Sequence, residues 1–415
     1  MYKKIGIAVL IVLTAFFAFY FAVKNDKKIS HPINSKKVIN VKKYGAAGNG
    51  KKDDTQVIQK ALSDGAGGKI YFPKGNYKIS RELEVTDGTE VFGKDAELQA
   101  AHSLDSVIQL KGEDIHLHDL TIDGRYTSLK GITVAEGSKN ITIKNSLIHN
   151  FTQPKKIELS RLTVSGVRIE GGVKDVLIDK SSIQNVKAKH PIKGWDHFVA
   201  RGILISPESN KQPDTENVTI SHSTFRNIGP KDDGDGIVVQ GFKNKVNLKV
   251  LNNSFSYTFK RAIKIQSPGA LIKGNKIYNN FNGNNFYSTY KETNDYDMWA
   301  AISAYANYVT IEKNTISGEG NYQRIIDVAN ASHIKITNNF IKNGKKGNYK
   351  NSDIVAITNN AKDNIKDFTV SNNVFINGRY GVYAEHGIPD LTVKDNKQIN
   401  VQDYQYPYPS QMASE

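Results

Sequence analysis

The sequence predicts an all-β fold, a right-handed parallel β-helix: a solenoid of about ten coils, each built from three short strands. Three observations carry this. Beyond residue 110 one phrase recurs, a short apolar strand, a polar turn and an alternating strand, as in Gly131-Ile132-Thr133-Val134 with Asn140-Ile141-Thr142-Ile143, and Gly381-Val382-Tyr383-Ala384 with Asp390-Leu391-Thr392-Val393. The equivalent positions Ile143, Ile178, Ile220, Val250, Ile272, Ile311, Ile336, Val370 and Val393 lie 35, 42, 30, 22, 39, 25, 34 and 23 residues apart, a basal repeat of 22 to 25 with insertions. Alternation within the first strand of each repeat then sends Ile132, Val167, Ile203, Ile237, Ile263, Ile302 and Ile326 to one internal ladder, and Thr133, Arg168, Leu204, Val238, Lys264, Ser303 and Asp327 outward.

Taken in order, residues 1–24 hold the 19 uncharged residues Ile5 to Val23 between Lys3-Lys4 and Lys24, long enough to span a bilayer. A cleaved signal segment competes, but Tyr20-Phe21-Ala22 is a poor cleavage site. The expectation is a membrane anchor with the domain outside the cytoplasm at the cell surface, or secreted. Residues 25–37 read as a polar tether, 38–400 as the solenoid domain and 401–415 as a tail. Within 38–80 a strand, a glycine-rich turn and a helix capped by Asp53 should cover the open end of the stack, with Val57, Ile58, Ala61 and Leu62 as the apolar stripe. Asn145, Asn253, Asn275, Asn314, Asn339 and Asn373 recur at the bends, where they suit both a left-handed backbone and a stacked amide ladder.

The opening, Lys43-Tyr44-Gly45-Ala46 through Asp53-Asp54-Thr55, then Gly68-Lys69-Ile70-Tyr71-Phe72-Pro73-Lys74-Gly75-Asn76-Tyr77, resembles that of the pectate-lyase-type right-handed β-helix superfamily. That superfamily includes polygalacturonase-like hydrolases, polysaccharide lyases, uronate epimerases and phage tail depolymerases. The resemblance implies the fold and a carbohydrate ligand, and leaves the reaction open. Of the hydrolase motifs, Asp235-Gly236-Ile237 matches only an Asp-Gly part, Ala262-Ile263-Lys264 lacks the expected arginine, and no Gly-His-Gly is present.

Four insertions, Phe151 to Leu162, Lys187 to Ala200, Phe281 to Trp299 and Lys345 to Ser352, fall between the last strand of one coil and the first of the next, so they should wall the outer face of the first-strand sheet. Candidate catalytic groups gather there. Asp232, Asp233 and Asp235 precede one first strand, with Arg261 and Lys264 on the next coil about 4.8 Å away. Carboxylates so placed serve as acid, base or Ca²⁺ ligands, whereas a lysine or arginine serves as base in a lyase. Asp295 and Asp297 are further carboxylates within reach. Arg168, Arg201, Arg324, Asp327, Trp195, His197 and Trp299 are the substrate-binding candidates, as uronate partners or sugar-stacking rings. A bland alternative is that these charges form a structural salt bridge. Ca²⁺ is the cofactor the pattern leaves open, and no metal ligand set is assigned; His116 and His118 share a strand face without a third ligand.

Net charge is +15, and +12 without Lys3, Lys4 and Lys24, which suits a polyanionic partner. Lysines are spread evenly with no nucleic-acid-binding signature, so nucleic acid is not expected. Cysteine is absent, which excludes disulfides, thiolate metal sites and a cysteine nucleophile. The function expected is an extracytoplasmic enzyme cleaving an acidic, uronate-type polysaccharide by hydrolysis or elimination. A uronate epimerase and a non-catalytic glycan or cell-wall binding protein are the alternatives.

Overall fold

The computed structural model describes residues 38–154, 162–188, 199–229, 233–279, 298–318, 322–344, 352–360, 364–385 and 388–406. Through the middle of the chain strands pair in parallel with the strand three further along, and near either end mostly with the strand two further along, which stacks the chain into coils with three faces. The anticipated register is met along its length: Ile143, Ile178, Ile220, Val250, Ile272, Ile311, Ile336, Val370 and Val393 are successive partners on the second-strand face. On the first-strand face Ile132, Val167, Ile203, Ile237, Ile263, Ile302 and Ile326 are likewise in register, all buried. Strand alternation produces this, since only one parity can enter a core closed on three sides. Aromatic partners add to it, as where Phe225 and Phe255 stack with centroids 4.7 Å apart.

The bends separate two jobs expected of one residue. The left-handed positions are Asn145, Lys180, His222, Asn252, Lys313, Asn338 and Asn372, with φ between 48° and 58°. The residue after each turns inward to form the ladder. Asn253, Asn275, Asn314, Asn339, Asn373 and Asn396 donate and accept in sequence, side chain to side chain at 2.9 to 3.1 Å. Earlier coils use Ser146, Ser181 and Ser223 at the same place. Asn145 therefore belongs to the left-handed set and not to the ladder.

At the start of the domain the helix Thr55–Asp64 buries Ile58, Ala61 and Leu62 against the first coils, with Val57 half-buried. Its cap differs in detail from expectation. Asp54 is the cap residue, but its carboxylate accepts from the backbone N–H of Ala47 and Gly48 at 2.7 and 3.0 Å and so clamps the glycine-rich turn. Asp53 instead holds Thr55 through its backbone N–H and hydroxyl. Gly48 is required there: φ is +57° and a Cβ would stand 3.0 Å from the Tyr77 ring. At the other end the last strand, Lys397–Tyr406, runs beyond the boundary expected at residue 400. No helix among the described residues is long and apolar enough to cross a membrane. The apolar run Ile5 to Val23 lies outside them.

Candidate functional site on the first-strand face

Arg201, Asp235 and Arg261 share the sequence parity of the buried Ile203, Ile237 and Ile263, yet they face outward. The cause is a corner one residue on. A Cβ on Gly202 would meet the Phe225 ring at 2.9 Å, and one on Gly236 the Phe255 ring at 2.9 Å, so those positions point into the core. Alternation slips by one at the corner and the preceding side chain turns out. Register then stacks Arg201, Asp235 and Arg261 on consecutive coils.

Asp235 bridges its neighbours: Oδ2 accepts from Arg201 Nη1 at 2.7 Å, and Oδ1 lies 3.5 Å from Arg261 Nη1. Asp235 is 0 % exposed, Arg201 3 % and Arg261 6 %. The expected meeting of these three groups occurs, but the carboxylate is sealed beneath the arginines and presents no surface to a ligand. Arg261 Nε donates to Ser303 Oγ at 3.1 Å, and its guanidinium lies 6.0 Å from the Tyr305 ring centroid. Lys264 is half-buried on the neighbouring row, between Val238 and Ser303.

A second carboxylate follows. Asp327, 1 % exposed, accepts from Trp299 Nε1 at 2.9 Å, from Arg324 Nη1 at 3.0 Å and from the Tyr305 hydroxyl. Burial, and then the Asp327 charge, raise the Tyr305 phenol above its ordinary range, so it stays a donor at neutral pH. Further along, Arg379 clamps Asp353 through Nε and Nη2 at 2.9 and 2.8 Å and lies 4.9 Å from the Tyr380 ring centroid. The hydrogen bond to Asp353 holds the Arg379 guanidinium above its ordinary value. Arg324, Asp353, Arg379, Tyr380, Tyr383 and Glu385 line a concavity of about 360 Å³.

Towards the N-terminal coils, Arg168 donates from Nη2 to Pro207 O at 3.1 Å and Glu208 Oε2 at 2.8 Å, and burial lowers its guanidinium. Its Nε, with Thr133 Oγ1 and Ser165 Oγ, is buried without a hydrogen-bond partner. Lys130, opposite Ser165 in register, pairs with Asp105 at 2.9 Å. Glu82 precedes the first strand of this face, Leu83–Val85. Burial and the Asp105 charge push its carboxyl up to about 7, against the opposing pull of Lys130.

Of the sequence candidates, Arg168, Arg201, Asp235, Arg261, Lys264, Trp299, Arg324 and Asp327 thus fall on one face. Asp233 opens its strand opposite Val199, and its side chain is not described. Asp232, Asp295, Asp297, Trp195 and His197 lie outside the described residues. Sequence reasoning missed Glu82, Asp105, Lys130, Tyr305, Asp353 and Arg379. The register ladder continued two coils towards the C-terminus would have found the last two.

Residues 38–289 match the family described as rhamnogalacturonase A/epimerase, pectate lyase-like, and 201–398 match the right handed beta helix region. Among similar proteins, the plasmin and fibronectin-binding protein A of Streptococcus pneumoniae is 24 % identical over 88 % of this chain and 57 % of its own length. Alginate lyase 7 of Azotobacter vinelandii is 32 % identical over 27 % of this chain and 16 % of its own. The chain thus spans little more than half the length of the first relative and far less of the second. The solved structure of PfbA, a surface adhesin of Streptococcus pneumoniae, superposes with a TM-score of 0.67 at 21 % identity, covering 89 % of this chain and 91 % of the other.

Proposed function

The chain belongs to the rhamnogalacturonase A/epimerase, pectate lyase-like family, and from that premise we propose that it binds an acidic polysaccharide along the outer first-strand face and cleaves it there. One observation carries the reading. Coils of this face carry Arg168, Arg201, Arg261, Lys264, Arg324 and Arg379, of which Lys264, Arg324 and Arg379 are partly exposed. Asp235, Asp327 and Asp353 hold Arg201, Arg261, Arg324 and Arg379 in place. Such a track matches a polymer with one carboxylate per sugar, because guanidinium pairs carboxylate in a fixed fork. Trp299, Tyr305, Tyr380 and Tyr383 supply rings beside the cations for sugar faces. A relative named for the lysis of alginate, a polyuronate, supports the substrate class.

In this reading Asp235 is a positioning group: it neutralises and aligns Arg201 and Arg261. Hydrolysis and elimination both need a proton delivered to the glycosidic oxygen. Glu82 is the group we assign to it, because burial and then Asp105 keep a substantial fraction of it protonated at neutral pH. The apolar run Ile5 to Val23 would hold the domain at the cell surface, which membrane fractionation of the full chain checks.

The reading is tested by incubating the protein with a panel of acidic polysaccharides and their neutral counterparts. New reducing ends without ultraviolet absorbance mean hydrolysis, and absorbance of unsaturated uronate means elimination. A second reading, glycan binding without catalysis, is favoured by the saturation of Asp235 and Asp327 with buried partners and by the likeness to a surface adhesin. Binding without either product would select it.

A further inference from the structure

On the third-strand face, away from the arginine track, Glu97, Asp123 and His149 come from three successive coils. Gln99 is the register partner of Asp123, and Asp123 that of His149, so Glu97, two residues before Gln99, lies on the same face. One ligand atom from each of the three lies within 4.8 Å of the others. We propose that these side chains bind a divalent transition-metal cation, Zn²⁺ or Mn²⁺ in class.

Three features support the donor set. His149 Nε2 is buried and has no hydrogen-bond partner. A buried imidazole nitrogen left unpaired costs stability unless something fills its coordination, and here two carboxylates share its surroundings. Asp123, only 4 % exposed, is held by one oxygen alone: Oδ1 accepts from Arg125 N–H at 2.8 Å and Asn150 Nδ2 at 2.9 Å. That second bond ends a stacked amide ladder running from Asn227 through Asn185 and Asn150. The ladder fixes the carboxylate and leaves its other oxygen for a ligand. Glu97 is tethered in the same way, with Oε1 accepting from Gln99 Nε2 at 2.9 Å.

One imidazole nitrogen with two carboxylate oxygens suits a borderline cation better than Ca²⁺ or Mg²⁺, which take all-oxygen shells. Waters complete the coordination. A cation there would staple three coils of the stack, so its binding raises thermal stability by mass action.

The full chain, stripped with chelator, is titrated with ZnCl₂, MnCl₂ and CaCl₂ by calorimetry and by thermal melting. The expected result is one saturable site for Zn²⁺ or Mn²⁺ and a melting temperature raised by roughly 4 °C at a hundredfold excess over Kd. His149→Gln and, independently, Glu97→Gln should weaken binding at least about tenfold and remove the melting shift, with circular dichroism unchanged. Equal binding by His149→Gln would mark adventitious sites on a chain with ten histidines and overturn the proposal. No saturable binding, or tighter binding of Ca²⁺ than of Zn²⁺ and Mn²⁺, would overturn it as well.

Discussion

Replacing Glu82 with glutamine separates catalysis from stability, because the two effects should have opposite signs. The carboxyl is raised from an ordinary 4.5 to about 7, chiefly by burial and then by Asp105. The folded protein therefore holds a proton that the unfolded chain releases between those values. Unfolding free energy should fall as pH rises from about 4.5 to 7 and level off above, since the folded state binds more protons across that window. At about 1.36 kcal/mol per pK unit the gap sets a ceiling of roughly 3.4 kcal/mol. Glu82 is partly exposed, and screening brings the usable figure down to about 1–2 kcal/mol. Glu82→Gln cannot ionise, so at pH 8 it should be more stable than the parent by that amount, with the advantage gone at pH 4. Urea melts of both proteins at four pH values measure this. Turnover of the acidic polysaccharide should meanwhile fall about 100-fold or more. A variant that is less stable at pH 8, or as active as the parent, would refute the assignment of Glu82 as the proton donor.

Other outcomes follow from the same geometry. Asp235→Asn removes the buried negative charge between two guanidinium groups and should cost about 3–5 kcal/mol in a denaturant melt; a loss below about 1 kcal/mol would mean the ion triad is not structural. Gly236→Ala drives a Cβ to 2.6 Å from Ala262 O and 2.9 Å from the Phe255 ring, and should cost about 1–3 kcal/mol. Asn314→Ala opens the amide ladder between Asn275 and Asn339, leaving the buried Asn275 backbone N–H without its acceptor while the Asn275 side chain keeps Val250 O, a loss of about 3 kcal/mol by thermal or urea melting.

The coil register was readable because strand parity and a basal repeat need no knowledge of the insertions. Hence Ile132 to Ile326 and Ile143 to Val393 could be placed in two columns from spacing alone. The outer face was readable in part for the same reason: Lys264, Ser303 and Asp327 take the parity opposite to the core. Burial was not readable. Asp235 looks like an accessible carboxylate until Gly236 turns the corner and Arg201 and Arg261 close over it. The Gly202 and Gly236 pair, each opposite a core phenylalanine, was the available sign of that corner. Glu82 escaped notice because its proton affinity depends on burial and then on the Asp105 charge, which only coil stacking supplies. Asn145 was misassigned to the ladder because early coils put serine where later coils put asparagine.

The proposal that the arginine track seats an acidic glycan is tested most directly by a binding titration. The full chain is titrated with an oligouronate and with the same oligosaccharide after reduction of its carboxylates, alongside Arg324→Gln and Arg379→Gln. The acidic form should bind about tenfold or more tighter, added salt should narrow the gap, and each substitution should weaken only the acidic ligand. Equal affinity for the two ligands, or an acidic preference untouched by both substitutions, would contradict it.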